Sequence, residues 1–430
     1  MSTFPKKTEV VVIGAGIAGT MTAYHLAKRG VPTVLCEKGR VAGEQSSRNW
    51  GWIRKQGRDH RELPAIIESL RIWEGLEKEI ETDIGWQKGG TLYIAENDDD
   101  LAYFESWLGH ARDHQLDSRM LSPDEVDELT GSEGREWKGG LYTPSDGRAE
   151  PDKAAPAVAK AFERLGGTVL TECAVRTVES AAGRVSGVVT EKGTIACQAV
   201  VVAAGVWSSL FSGNLGHAFP QLKVCGSVLR TKPAPLITQT SVGSPGVSIA
   251  RRQDGGYTMA RPGSSYFQIV PDSFRYFWKF LPALNTSMKP RLRIGGDFFK
   301  ELVRPRKWSG DDVTVFEKSR VLDPDPDPGT LREVLAAART NFPQLGPLEI
   351  AESWAGMIEA TPDAIPVWSG VDDLEGFYIA SGFSGHGFGM GAATGLIMSE
   401  LVMDGRSRFD LEPFSLSRFT DGSKLELNAR

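Results

Sequence analysis

Gly14, Gly16 and Gly19, with Ala15, Ile17 and Ala18 between them, stand in G-x-G-x-x-G spacing directly after the apolar run at residues 9–13. In this pattern the first glycine turns the chain off a strand, the second admits a pyrophosphate, and the third lets a helix pack on the strand. Residues 20–29 have helical character, Gly30 and Pro32 end it, and residues 31–36 read as a second strand followed by Glu37. An acid there can accept from a ribose hydroxyl, and the preceding helix would aim its free N–H groups and positive dipole end at the phosphates. Strand, loop, helix, strand and acid in this order predict a dinucleotide site. An acid rather than a cation at Glu37 argues against a 2′-phosphate, and the motif itself admits FAD and NAD alike.

Two further stretches carry chemistry. After Glu37 come Lys38 and then Ser46, Ser47, Arg48, Asn49, Trp50, Gly51, Trp52, Arg54 and Lys55. Small residues, tryptophans and cations so soon after a nucleotide fold suit a segment lying along a pyrophosphate and a flat ring. Near the other end of the chain, residues 376–391 run as a strand through Gly382, Gly385, His386, Gly387, Phe388, Gly389 and Met390 onto another helix start. NAD has no need of a second helix N-terminus. A reduced flavin, negatively charged at its pyrimidine end, is stabilised by one.

These stretches need elements to hold them. Residues 61–80 read as an amphipathic core helix, 85–95 as a hairpin opening a second domain, and 101–115 as another helix. His110 and His114 are four apart on that helix, but their neighbours are polar and no third ligand is evident, so no metal is expected. Ser122, Pro123 and Glu125 form a helix-start signal. A helix at 152–165 and a small meander lead to the apolar run 199–203, which ends in Ala204, Gly205 and Trp207 as a buried parallel strand turning beside a cofactor would. Residues 221–317 are strand-rich, with Tyr257 in one strand and Arg293 between Leu292 and Ile294 in another. Residues 266–284 are strongly aromatic, suited to capping a pocket or packing in a core, with a subunit or membrane contact as the other readings. The Asp-Pro repeat at 323–328 is a stiff connector.

The composition excludes several classes. A net charge of −6 with scattered cations gives no footprint for nucleic acid. The four cysteines form no CxxC pair and read as reduced thiols of a cytoplasmic protein. No apolar stretch approaches a membrane span, and the apolar N-terminal run is already the first strand rather than a signal peptide. With 430 residues, 40% of them hydrophobic, two cores can be buried.

The GAGIAG loop with Glu37, the Ser46-Ser47 loop, the segment from Val202 to Ser208, and GFSGHGF at 382–388 together resemble the FAD-dependent D-amino acid oxidase, glycine oxidase and sarcosine oxidase family. The last segment is similar to one in the monomeric sarcosine oxidases. The resemblance spans nearly the whole chain. It implies an α/β (α+β overall) architecture with a Rossmann-like FAD domain (1–84, 150–215 and 325–430) interleaved with an antiparallel-sheet substrate domain (85–149 and 216–324). It further implies Val175 near the adenine, residues 46–52 along the flavin, and residues 385–390 at its pyrimidine end.

The chain departs from that family pattern in three places. Gly389 stands where a substrate-gripping lysine follows GFSGHGF. The cysteine that tethers the flavin is matched by about Gly356, so FAD is expected to be non-covalent. Arg293 is matched to the lysine near flavin N5, keeping a positive charge there for oxygen chemistry. Substrate contacts map to Trp52 and Lys55, or to Arg54 with a one-residue shift, and Tyr257 and His386 are added to them.

The expected reaction is oxidation of a C–N bond, with imine hydrolysis and reoxidation by O2 releasing H2O2. The expected substrate is an anionic amino acid or a secondary amine such as iminodiacetate or sarcosine. The alternative is a dehydrogenase passing electrons to a quinone or another acceptor. A homo-oligomer is compatible with the sequence.

Overall fold

The computed structural model describes residues 4–132, 135–284 and 291–427. Its first sheet is built on the expected motif. Val10–Ile13, buried on both faces, lies between Ala199–Val202 and Thr33–Cys36, parallel to each, with Val11 opposite Val200 and Val34. Continuous Val, Leu and Ile runs form such strands because helices cover both faces and leave no face for polar residues. Leu374–Ser381 extends the sheet in parallel beyond Ala199–Val202, and Thr168–Leu170 does so beyond Thr33–Cys36, making nine strands with the meander at 175–196 and the antiparallel Val367–Val371. The helices Ile17–Lys28 and Gly387–Asp404 pack on each other against it: a Cβ on Gly395 would come 2.5 Å from the backbone of Met21.

The second sheet has ten strands. Its longest pair, Leu222–Thr231 with Ile350–Ala360, is antiparallel and sets Gly226 opposite Gly356. Thr91–Ala95 joins from early in the chain, parallel to Ser241–Ser244 and antiparallel to Gly139–Thr143. The expected hairpin at 85–95 is therefore one long-range strand, because its partners come from distant segments. The sheet is mixed rather than purely antiparallel.

The two sheets exchange segments at places other than the expected boundaries. Ile350–Ala360 belongs to the second sheet. The helix Pro328–Asn341 packs there too, with Leu331, Val334 and Ala338 in one core with Tyr257 and Met259. Conversely, Trp308 and Phe316 lie in the core of the first sheet, where Trp308 Nε1 donates to Arg176 O at 2.6 Å. The Asp-Pro connector gave no sign of this exchange, since both neighbouring segments are amphipathic.

Of the strand-rich stretch 221–317, residues 285–290 lie outside the described residues. Within the aromatic stretch Tyr266 and Tyr276 are buried, whereas Phe274, Phe277 and Trp278 are exposed, so core packing accounts for only part of it. Helices form at Leu63–Ile80 and Asp98–Asp113, and Ser122 and Glu125 make a reciprocal capping box. Among the described residues no helix is long and apolar enough to cross a membrane, and no cluster of three or more His, Cys, Asp or Glu could hold a metal ion. His110 instead stacks on His60, with ring centroids 5.2 Å apart.

Candidate FAD and substrate site

The ends of the parallel strands open into a cleft of about 1200 Å³, counting the space open to solvent at its mouth. Gly14, Gly16, Ile17, Ala18, Glu37, Lys38, Ser46, Asn49, Val175, Ala204, Gly205, Trp207, Gly385, Gly387 and Phe388 all line it, so distant sequence signals converge on one cavity. Gly16, which starts the helix Ile17–Lys28, has no side chain of its own to cap it. A Cβ there would come 2.9 Å from Ser46 Oγ, which accepts the Ile17 N–H at 2.9 Å. Gly19 is held tighter still: a Cβ would meet Gly14 O at 1.8 Å, so helix and strand touch backbone to backbone.

Glu37 is fixed by two backbone donors, Ala15 N–H to Oε2 and Gly39 N–H to Oε1, each at 2.8 Å. Burial pushes its carboxyl pKa up against these bonds, which favour the charge. Both oxygens keep lone pairs for a further donor. Lys38 Nζ bonds Glu44 at 2.6 Å and lies over the Trp207 ring at 4.9 Å, while Trp207 Nε1 donates back to Glu44. A glycine cradle, a helix start and a buried acceptor fit a dinucleotide such as FAD.

Other expected cofactor residues support the cleft from behind. Ala15 O accepts the Ala42 N–H at 2.9 Å, and Ser47 Oγ donates to Ala42 O at 2.7 Å. Arg48 spans Ala355 O at 2.9 Å and Gly43 O at 3.2 Å. Gly51 turns the chain at φ +80°, Trp50 meets Trp52 edge to face at 5.8 Å, and Met390 is fully buried. Gly382 and Gly385 both have positive φ, and the turn between them is pinned by Thr361 N–H donating to Ser384 Oγ at 3.1 Å. Gly389 O accepts from Trp73 Nε1 at 3.1 Å, so it faces the helix Leu63–Ile80 and is not among the residues lining the cleft.

Glu359 was missed. It lines the cleft with a buried carboxylate that accepts from Gln221 Nε2 and Ser381 Oγ, each at 2.9 Å, and from Phe383 N–H at 3.1 Å. It ties the end of the second sheet to the C-terminal glycine loop, and burial pushes its pKa up. A lone acid at the end of an apolar strand was its only sequence signal.

The expected substrate residues divide. His386, between Gly385 and Gly387, has Nδ1 3.4 Å from Oε2 of the fully buried Glu62. Burial and the nearby Arg58 charge lower its pKa to about 4. Arg54 lies over the Tyr93 ring at 5.2 Å, donates to Gln56 O, and is next to Trp52, whose ring is 6.1 Å from that of Tyr93. Arg58 also belongs here, and the sequence reading missed it. Its guanidinium is buried, Nη1 has no hydrogen-bond partner, and burial with Arg54 beside it lowers its pKa to about 9, still charged at neutral pH. The spacing Arg54, Arg58, Glu62 at every fourth residue could have drawn attention to it.

Three expectations are corrected. Lys55 turns away to Ser145 and Asp146, with Nζ 3.8 Å from Asp146 Oδ1, and that buried acid absorbs its charge. Tyr257 is a core residue whose hydroxyl donates to Pro235 O at 2.9 Å and accepts from Ile237 N–H at 3.2 Å. Arg293 is exposed on an edge strand, Arg291–Arg293, paired to Asp327 at 2.6 Å and stacked over Tyr266 at 4.2 Å. It does not line the cleft, because that strand hangs on the outer edge of the second sheet.

Comparison with known proteins agrees with this geometry. The chain is 26% identical to the mitochondrial sarcosine dehydrogenase of Mus musculus over 96% of its own length but only 42% of that protein, so it spans about two fifths of that relative. It is 25% identical to sarcosine oxidase subunit beta of Rhodobacter capsulatus, covering 98% of this chain and 91% of that one. Among solved structures it is similar to L-amino acid deaminase from Proteus myxofaciens, with a TM-score of 0.94 and 30% identity over 97% of this chain and 95% of that one. Residues 9–401 match the family described as FAD dependent oxidoreductase, and the chain belongs to that DAO family.

Proposed function

We propose that the chain oxidises the C–N bond of a carboxylated amine, either an amino acid or an N-substituted glycine such as sarcosine or iminodiacetate, using non-covalent FAD. The observation that carries this reading is the meeting of the cleft's Gly385–Gly387 rim with His386 and the cations Arg54 and Arg58. Bound FAD would supply the acceptor for two electrons. The chain's own residues do the rest. Arg54 and Arg58 hold a carboxylate by charge-assisted hydrogen bonds in a desolvated corner. Trp52 and Tyr93 wall the same corner and exclude water. His386, neutral at working pH, adds no charge that would repel an entering amine. The N-terminus of Gly387–Asp404 would favour negative charge on the bound cofactor through its dipole. The substrate loses two electrons and two protons, and water hydrolyses the resulting imine to a carbonyl compound and an amine or ammonia.

Non-covalent binding is supported by Gly356, which carries no side chain that could form a tether. Reoxidation by O2 would release H2O2. A second reading sends the electrons to a quinone or another acceptor, and it is favoured by the position of Arg293 on Asp327, away from the cleft. Product analysis with sarcosine, iminodiacetate and L- and D-amino acids tests the proposal. It expects stoichiometric aldehyde or oxo acid from one class, with H2O2 or with a reduced artificial acceptor. Failure of every carboxylated amine, alongside turnover of an uncharged amine, would overturn it.

A further inference from the structure

The exposed large apolar side chains are not spread over the molecule. Thirteen are exposed among the described residues, and eight fall between Phe274 and Val303. Trp278, Ile294 and Val303 retain 78–79% of their full exposure, and Phe274 and Phe299 retain 66%. Six of the eight sit on the short helices Pro271–Arg275, Phe277–Leu284 and Gly296–Leu302 and on the edge strand Arg291–Arg293, and Ile294 and Val303 directly follow two of these elements. The elements adjoin: the Phe274 and Phe298 rings meet edge to face at 6.5 Å, and Arg306 reaches back to Asp272 at 2.8 Å. Scattered single apolar residues need no explanation, but a concentration of this kind marks an interaction surface.

Its charge says what it meets. The whole chain carries a net −6, yet residues 271–284 and 291–307 hold eight Lys and Arg against three Asp and Glu. Asp327 and Glu333 reach the segment from outside, through Arg293 and Arg291, and Lys223 and Arg261 accompany them. The excess therefore survives the ion pairs. Arg275 and Lys300 keep 51% and 75% side-chain exposure beside the apolar groups.

We propose that this segment docks on an anionic lipid bilayer surface, lying in the interface without crossing it. Short elements that expose Trp and Phe together with Lys and Arg suit the boundary between headgroups and acyl chains. There apolar burial and attraction to acidic lipids add together. A second copy of the chain fits poorly, because a self-complementary contact would bring two cationic segments together. The proposal does not depend on which amine is oxidised.

The test is co-sedimentation of the FAD-loaded protein with vesicles of phosphatidylcholine alone or with 30% phosphatidylglycerol. Trp278→Glu with Phe299→Glu serves as the apolar variant and Lys300→Glu with Arg275→Glu as the charge variant. Unchanged flavin absorbance and melting temperature report that each is folded. The expected result is binding only to the acidic vesicles, falling tenfold or more in either variant and weakening with salt. Equal binding to neutral vesicles would overturn the proposal, as would no binding to either kind. A concentration-dependent dimer in analytical ultracentrifugation, abolished by the same variants, would overturn it in favour of self-association.

Discussion

Ser46 Oγ accepts the backbone N–H of Ile17 at 2.9 Å, so the loop after the second strand is latched onto the start of the first helix. The same Oγ stands 2.9 Å from where a Cβ on Gly16 would lie. Gly16→Val is therefore expected to push the two segments apart and abolish FAD retention. Ser46→Ala should weaken it roughly tenfold, a loss of about 1.4 kcal/mol, in line with one hydrogen bond. Flavin fluorescence titration of the deflavinated proteins measures both.

Glu37 has a structural task as well as a proposed ribose contact, and two variants separate them. Glu37→Gln keeps one acceptor for the Ala15 and Gly39 donors and should mainly weaken FAD affinity. Glu37→Ala leaves both N–H groups without their acceptor and should also cost about 1–3 kcal/mol of stability per stranded donor. Urea unfolding of the FAD-free proteins distinguishes the two.

His25 and His386 set an acid limit to stability. Burial holds both pKa values down to about 4, from 6.5 in an unfolded chain, with Lys28 adding to the effect at His25 and Arg58 at His386. Between pH 6.5 and 4 the unfolded chain binds the more protons. The stability these neutral rings permit is thus complete above pH 6.5 and lost as pH falls toward 4. The more enclosed His25 accounts for on the order of 3 kcal/mol, and the partly exposed His386 for less. His25→Gln should flatten the pH dependence of the urea midpoint across that window, and an unchanged slope would contradict the assignment.

Lys55 and Arg58 give opposite outcomes. Arg58→Gln should raise KM for carboxylated substrates tenfold or more while leaving any uncharged amine unaffected. Lys55→Met should leave KM nearly unchanged but destabilise the fold by about 3–5 kcal/mol, because Asp146, fully buried, loses its cation. Burial already lifts the Asp146 pKa to about 6, so the variant will answer part of this loss by protonating that acid. Steady-state kinetics and thermal melts together check the pair.

Much of the cofactor cleft was legible because its signals are local. A glycine loop, an acid after a strand and an apolar run ending in glycine each act through their own backbone. Hence Gly14, Glu37, Ala204 and Gly385 could be assigned to one site without knowing how the chain folds between them. The substrate corner was less legible because its geometry is tertiary. Arg54, Lys55 and Arg58 are nearly indistinguishable as a sequence, and only the burial of Asp146 turns Lys55 away from the corner. Arg293 was misplaced because strand parity says which neighbours share a face but not whether the strand lies at the sheet's edge. Tyr257 failed likewise, since an aromatic in a strand looks the same facing a pocket or a core. The exchange of Ile350–Ala360 into the second sheet rests on its pairing with Leu222–Thr231, more than a hundred residues away.

The central claim is that FAD in this cleft takes electrons from a carboxylated amine. An anaerobic visible titration of the FAD-loaded protein with sarcosine, iminodiacetate, glycine and L- and D-amino acids tests it most directly. The account predicts that one of these bleaches the flavin band near 450 nm completely, and that Arg58→Gln shifts the midpoint to higher concentration. Air will then restore the colour at a rate that separates O2 from another acceptor. A flavin that stays oxidised with every carboxylated amine, yet bleaches with dithionite, would contradict it.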